Sequence, residues 1–410
     1  MTSEPVIACI AQEFPYLTET FVYREVIALR QHGVRVVTLS NHRASIDELP
    51  AEARDMVAST YYILPVNILK LLAAHLYFIL RRPRAYFPTL MLIFTETSRK
   101  PDIWLQNIKH FVGAVYLAYQ IRDQHITHIH AHFSTNPASF ALYISTLFGI
   151  GFSFTVHNYI FWKRLLLNSK LKRADFIACI SEYSRDALLG YAPEADREKI
   201  SPKLHIVHCG VNPQDFHIDD PVRHTPPVIL CAAQFEARKG MPYLIEACHV
   251  LKKRGVDVQC ILAGDGRQYE ELAALIKKLE LDDRVRLIGA YFQDQMTDLF
   301  RQADLFVLPC IITDSGDRDG IPVVLMEAMA AGIPVISTRV SGIPELIDHM
   351  QNGILVEQRD PEALADAITL LLNDEALYAT FREQARRKIQ QAFDLHTSAD
   401  LLIRLLLEHR

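Results

Sequence analysis

The chain has 410 residues, half of them apolar, and 43 Lys and Arg stand against 48 Asp and Glu for a formal net charge of −5. That length buries a large core and divides into two domains. The mild acidic balance excludes the basic footprint of a nucleic-acid binder. The seven cysteines are scattered and include no Cys-x-x-Cys pair, which excludes a disulfide framework and suits the reducing cytosol.

Taken in chain order, Met1 to Pro5 is polar and the apolar run Val6 to Ala11 is too short for an export core, so no signal peptide is expected. Val6 to Ile10 reads as a first strand, Phe14 to Leu17 as a loop, and a helix opens near Thr18 or Thr20, either of which can cap it. A second strand covers 34–39. Tyr61 to Leu80 is mostly apolar but is interrupted by Pro65, Asn67, Lys70 and His75 and followed by Arg81, Arg82 and Arg84. It approaches the length of a membrane span and fails on polar content. Helices packed on the core and helices lying in a membrane interface both fit the region 61–119.

Further strands are expected at 126–130, 152–156, 176–180 and 204–207. The polar stretch Phe216 to Pro227 holds three prolines and reads as a linker. A second series follows at 228–233, 258–263, 285–288, 305–309 and 335–338, with helices between. This alternation predicts an α/β chain of two doubly wound parallel sheets. The expected boundaries are 1–215 and 216–395, with a terminal helix over 396–410 crossing back onto the first domain.

The segment Asp319-Gly320-Ile321-Pro322 leads into an apolar run that carries Glu327 and ends at Gly332. Pro322 suits the first helical position, where an amide hydrogen would be orphaned, and Gly320 lets backbone approach a ligand. Free amides at the helix start and the helix dipole make an anion site, and the two carboxylates flank it, suited to hydroxyls. The plain alternative is a buried amphipathic helix with Leu325, Met326, Met329 and Ala330 as its core stripe. Ser341-Gly342-Ile343-Pro344-Glu345 repeats the Gly-x-Pro start. His128, His130 and His132 share a strand face and suggest a zinc site, but no carboxylate or cysteine is expected nearby to complete it.

On these and related motifs the chain resembles glycosyltransferase family four, retaining enzymes of the GT-B fold with two Rossmann-like domains facing across a cleft. The pieces are Phe235-Glu236-Ala237-Arg238-Lys239-Gly240, Ala263-Gly264-Asp265-Gly266, Ile288-Gly289-Ala290, the Asp319 segment, and Gly353 to Val356 with Asp360 to Leu364. In the first half, Phe14 to Phe21, His130-Ala131-His132-Phe133, Phe154-Thr155-Val156-His157, Ile180-Ser181-Glu182 and His208 to Val211 are similar to the branch that builds exopolysaccharides such as colanic acid.

The resemblance implies roles position by position. Lys239 matches the lysine on the donor diphosphate, with Arg238 beside it. Gln234 stands where the family has an arginine, and an amide cannot supply a bidentate cationic fork. Asp319 replaces the first glutamate of the family's pair, which contacts the donor sugar, and Glu327 matches the second, which holds the ribose hydroxyls. Gly320 and Ile321 offer amides to the distal phosphate, Gly264 and Gly266 lie at strand ends near the nucleotide, and Thr18 belongs to the loop near donor phosphate or acceptor. His157 matches the histidine near the reacting sugar. The implied catalytic set is His157, Asp319 and Glu327. The implied reaction is sugar-nucleotide-dependent hexosyl transfer to a glycan or lipid-linked oligosaccharide, without cofactor or metal, in the cytoplasm or at the inner face of the membrane. A sugar-nucleotide-binding scaffold and a GT-B epimerase are the alternatives.

Overall fold

The strands expected from the apolar runs form two separate parallel sheets. The computed structural model describes residues 5–16, 19–46, 49, 51–95, 101–157, 165–218, 223–291 and 295–409. The first sheet comprises β1 (Val6–Glu13), β2 (Arg35–His42), β3 (Tyr61–Tyr62), β4 (His128–His132), β5 (Gly151–Val156), β6 (Ile177–Cys179) and β7 (Leu204–Ile206), in the order β3-β2-β1-β4-β5-β6-β7. The second comprises β8 (Val228–Ala232), β9 (Gln259–Ala263), β10 (Val285–Leu287), β11 (Leu305–Leu308), β12 (Val335–Thr338) and β13 (Ile354–Val356), in the order β10-β9-β8-β11-β12-β13. Strand order reverses at β1/β4 and at β8/β11, the places where open α/β sheets bind ligands at the strands' carboxyl ends.

The central strands are apolar without alternation because helices cover both sides of a parallel sheet. β1, for example, is buried from Val6 to Ala11. Register then places polar side chains of β4 against those of β5: His130 lies opposite Ser153 and His132 opposite Thr155. The two-residue β3 was not separable from the apolar run that follows it, since two residues carry no period.

The chain divides into Met1–Val207 with Ser398–Arg410, and His208–Thr397. The division falls ahead of the expected linker at 216–227, because Phe216 and Ile218 are buried in the second unit's core. Residues 219–222 of that stretch lie outside the described residues. The terminal helix Leu395–Glu408 places Leu402, Leu405 and Leu406 in a cluster with Val22, Tyr23, Val26 and Leu29 of the helix Thr20–Gln31.

Between β3 and β4 three helices, Ile68–Arg81, Pro83–Thr95 and Pro101–Ile121, carry the apolar region. Ala74, Phe78, Leu92, Ile93, Phe111, Ala114 and Val115 bury in the core. The other face of the first helix stays in solvent, with Leu69 79%, Leu72 62% and Leu80 68% exposed. Phe87, Met91 and Phe94 of the second helix and Trp104 and Leu105 of the third are exposed as well. Core packing therefore accounts for half of this region only. Among the described residues no helix is long and apolar enough to cross a membrane.

Candidate functional site

In the second unit, β8 runs into a loop and a short 3-10 turn, Ala237–Lys239, before the helix Met241–Lys253. Gly240 between them has φ +69°, and a Cβ there would lie 1.9 Å from the carbonyl oxygen of Pro309. Only glycine lets the turn press against the end of β11. The amide of Ile311 donates to the carbonyl of Arg238 at 2.9 Å and fixes the same contact.

This brings Arg238 and Lys239 to Asp319. Lys239 Nζ is 2.9 Å from Asp319 Oδ2 and Arg238 Nε is 3.2 Å from Asp319 Oδ1. Arg238 also pairs with Asp317 at 3.4 Å and with Glu236, and the Cys310 thiol donates to Asp319 Oδ2 at 3.5 Å. Burial by itself pushes the Asp319 carboxyl up, but Lys239 and Arg238 outweigh it and hold the group below the ordinary carboxylate range. Lys239 is raised for the matching reason: Asp319 overcomes the desolvation that would lower it. The cluster is a compact set of two cations and their counter-acids in a largely buried place, where charge interactions are strong.

Behind Asp319, Pro322 takes the N-cap position with φ −63° and ψ 122°, and the helix runs Val323–Ala331. The expectation of Pro322 at the first helical position is therefore corrected by one residue, since its ψ is extended and Val323 is the first residue with helical geometry. Gly320 is buried, and its carbonyl accepts from the amide of Gly342 at 3.2 Å, so the two Gly-x-Pro starts adjoin. Ile321 is core. Glu327 is only 4% exposed in a helix buried from Leu325 to Ala331. The amphipathic-stripe reading fails here because this helix has no solvent face. A carboxylate at such a position costs several kcal/mol unless it is satisfied. Burial first, and then the charge of Glu327, pushes the Tyr291 phenol up.

Gly264 and Gly266 stand after β9 with φ +148° and +151°. A Cβ on Gly264 would meet the Ala233 carbonyl oxygen at 1.9 Å, and one on Gly266 would meet that of Phe235 at 2.7 Å. They hold the loop after β9 against the loop after β8, which also carries the half-buried Gln234.

In the first unit, His157 follows β5. Its ring lies 4.5 Å from that of Phe21 and 5.0 Å from that of Phe133. His157 Nε2 is 3.2 Å from His132 Nδ1, and His132 Nε2 is 3.3 Å from Glu25 Oε1. A second string joins His128 Nε2 and His130 Nδ1 to the Ser153 hydroxyl, each at 2.8 Å, and His130 Nε2 to the Thr155 hydroxyl at 2.8 Å. Burial lowers every one of these histidines: His132 to about 3, His128 to about 4, His130 and His157 well below the usual value. Burial raises Glu25 to about 8.

The expectation that no carboxylate lies near the histidines is overturned, because the helix Thr20–Gln31 delivers Glu25 from a distant part of the chain. Ligand atoms of Glu25, His130 and His132 lie within 4.8 Å of one another. A cation there would have to displace a hydroxyl from His130, both of whose nitrogens are engaged. The signal for Glu25 was present, an acid flanked by Tyr23, Val26 and Leu29 of a buried helix face, but nothing local to it names its partner. Thr18 lies outside the described residues. Glu19 takes the N-cap position without a side-chain cap bond, and Thr20 is the first helical residue and not the cap.

Residues 214–388 match the family described as "Glycosyl transferases group 1". That match lies within the second unit. The chain is 36% identical over 205 residues to the amylovoran biosynthesis glycosyltransferase AmsK of Erwinia amylovora, covering 50% of each chain. It is 39% identical over 173 residues to the putative colanic acid biosynthesis glycosyltransferase WcaL of Escherichia coli K12, covering 42% of each. The chain thus spans about half the length of the curated relatives it matches. The fold is that of Anabaena HepE, solved in complex with UDP, with a TM-score of 0.71 at 15% identity over 98% of this chain and 100% of the other. The GT-B expectation for the fold holds, and Arg238, Lys239, Asp319 and Glu327 all lie within the residues that match this family.

Proposed function

We propose that the chain is a retaining glycosyltransferase that moves a hexose from a nucleoside-diphosphate sugar to a glycan acceptor, a lipid-linked oligosaccharide, in exopolysaccharide assembly. The observation that carries this reading is the Lys239–Asp319–Arg238 cluster beside two adjoining Gly-x-Pro helix starts. The donor diphosphate takes Lys239 and Arg238 over from Asp319, with charge-assisted bonds replacing the internal ion pairs. Asp319 is then released toward a sugar hydroxyl, and the amides of Gly320 and Ile321, just ahead of the N-cap Pro322, serve the distal phosphate. Glu327 takes the ribose hydroxyls. The names of the exopolysaccharide relatives and the UDP bound by HepE support the donor class and setting.

In the transfer step the bond from the anomeric carbon to the diphosphate oxygen breaks. The acceptor oxygen attacks from the same face, and its proton passes to the leaving phosphate oxygen. His157 is assigned the hydrogen bond that positions the sugar. Lys239 and Arg238 supply the countercharge to the leaving group, so the reaction runs without a divalent metal.

The exposed apolar face of the Ile68–Arg81 helix is assigned to the surface of an anionic membrane. Residues 61–95 contain no acid, while Lys70, Arg81, Arg82 and Arg84 of the same stretch are all exposed. A helix with that composition lies in the interface plane.

The test is incubation with a panel of sugar nucleotides and a lipid-linked acceptor, with and without chelator. Nucleoside diphosphate release, an anomeric configuration unchanged in the product, and loss of both in Glu327→Ala support the reading. Binding without turnover across the panel points instead to the scaffold, a reading motivated by Gln234 and Asp319. Interconversion of the donor without acceptor identifies an epimerase.

A further inference from the structure

We infer that Glu19 is an acceptor-binding residue, its carboxyl taking a hydroxyl of the acceptor sugar at the carboxyl end of β1. It belongs to the motif Phe14 to Phe21, to which the transfer step above gives no task. Two elements bring two acids together there. Ile7, Cys9 and Ala11 of β1 cluster with Val22, Tyr23 and Val26 of the helix Thr20–Gln31. Side chains alternate along a strand, so Glu13, the last residue of β1, falls on the same side. The helix opens at Glu19, and the charge of Glu13 acts on its carboxyl.

Glu19 caps the helix with its backbone only. Its amide donates to the Tyr16 carbonyl at 3.3 Å and its carbonyl accepts from the Val22 amide at 3.0 Å, while its side chain makes no cap bond. Oε2 is buried and has no hydrogen-bond partner among the described residues. A buried acceptor in that state costs free energy until a donor reaches it. Two residues on, the half-buried ring of Phe21 packs 4.5 Å from that of His157, the residue assigned above to the reacting sugar. An aromatic ring beside a few placed polar groups is the make-up of a small-molecule site.

The chemistry of the place selects the ligand group. Burial first, and then Glu13, raise Glu19 to about 8, so in the neutral range it is largely the uncharged acid, a poor partner for a cation. A phosphate is repelled by the charge of Glu13. A hydroxyl serves either form, accepting from the acid and donating to the carboxylate. Glu13 is the charged group that acts on Glu19 from β1. Tyr62 of β3 feels both Glu13 and Arg43, and Arg24 is the first charged side chain within Glu19's own helix. The identity of the bound sugar as the acceptor rests on the transferase reading proposed above; the sugar contact itself does not.

The experiment is saturation-transfer NMR of the full chain with a panel of methyl hexosides and no sugar nucleotide, on either side of the Glu19 titration at about 8. The wild type should bind at least one hexoside, about fivefold tighter at the upper pH, because the ionised carboxylate is the stronger acceptor. Glu19→Ala should lose about tenfold or more of that affinity. Glu19→Gln keeps the shape of the side chain, so it tests the carboxyl even where alanine costs the fold, and it should bind equally at both pH values. Glu13→Gln, which removes the like charge, should move the rise in affinity to lower pH. In turnover, Glu19→Gln should raise the acceptor KM and leave the donor KM within about twofold. A wild type that binds no hexoside, a Glu19→Gln protein that keeps the pH response, or a donor KM that rises in step with the acceptor KM overturns the inference. Hexoside binding needs neither donor nor turnover, so failure of the transferase reading, seen as no release of nucleoside diphosphate, is distinct from failure of this contact.

Discussion

Lys239 Nζ lies 2.9 Å from Asp319 Oδ2, joining a 3-10 turn after β8 to the loop before the Val323–Ala331 helix. The pair keeps a lysine charged in a place where burial favours the neutral amine. It also makes Asp319 the internal competitor of any anion that Lys239 binds.

Lys239→Ala should weaken nucleoside diphosphate binding by about tenfold to a hundredfold, since a hydrogen bond to a charged group contributes about 1.5–3 kcal/mol. Titration calorimetry measures it. Asp319→Asn, which removes the competitor, should tighten binding of the bare diphosphate while lowering turnover. A variant that loosens both separates the pair from the anion site.

The Asp319 pair also has a pH signature. A carboxyl held below its unfolded value contributes stability that is present above that value, about 4, and is lost as pH falls through the lower folded value. The melting-temperature difference between wild type and Asp319→Asn should stay flat above about pH 5 and shrink below about pH 4.

Glu25 carries the opposite sign. Its folded titration is raised to about 8, so the native state binds more protons than the unfolded state between roughly 4.3 and 8, and stability falls as pH rises across that window. Glu25→Gln, which cannot ionise, should gain melting temperature relative to wild type at pH 8.5 and not at pH 4. A gain of a few degrees is the expected scale, corresponding to about 1 kcal/mol or more.

The exposed leucines give a prediction independent of the chemistry. Leu72→Glu combined with Leu76→Glu should abolish flotation with vesicles containing anionic lipid and leave the melting temperature within about 2 °C, because both side chains point to solvent and surface substitutions are usually nearly neutral. Arg81→Ala with Arg84→Ala should weaken flotation most at low salt, where about 1 kcal/mol per cation is at stake. Retention of the leucine variant on vesicles would argue that this face serves another partner.

Gly264→Ala should destabilise the second unit by about 3 kcal/mol or more, since a left-handed backbone is combined with a Cβ 1.9 Å from the Ala233 carbonyl oxygen. Urea unfolding reports it directly. Gly255→Ala is the control, with φ +73° and open space around the added methyl, and should cost about 1 kcal/mol.

Much of this molecule is legible in its sequence. Continuous apolar runs such as Val6 to Ile10 and Val335 to Thr338 mark strands of a parallel sheet, because a strand covered on both sides needs no polar alternation. The Gly-x-Pro steps at 320–322 and 342–344 mark helix starts by local chemistry alone, although the exact first residue depends on the ψ of Pro322, which composition does not set. Arg238, Lys239, Asp319 and Glu327 could be named as a group through the resemblance of their motifs to a family, with Lys239 and Asp319 ahead of helix starts and Glu327 inside a helix.

What only the tertiary structure decided are the meetings between distant segments. A periodic pattern says which side of an element is apolar, and it is silent on what that side touches. Glu25 looked like one acid on a helix until that helix packed beside β4 and placed it 3.3 Å from His132. Sheet register, not spacing, set His130 against Ser153 and so engaged the nitrogens that a metal would have needed. The run 61–80 likewise read as either core or membrane interface, and three-dimensional packing divided it, burying Ala74 and Phe78 and leaving Leu69, Leu72 and Leu80 in solvent. Hydrophobicity is a property of residues, whereas burial is a property of the pair of surfaces that meet.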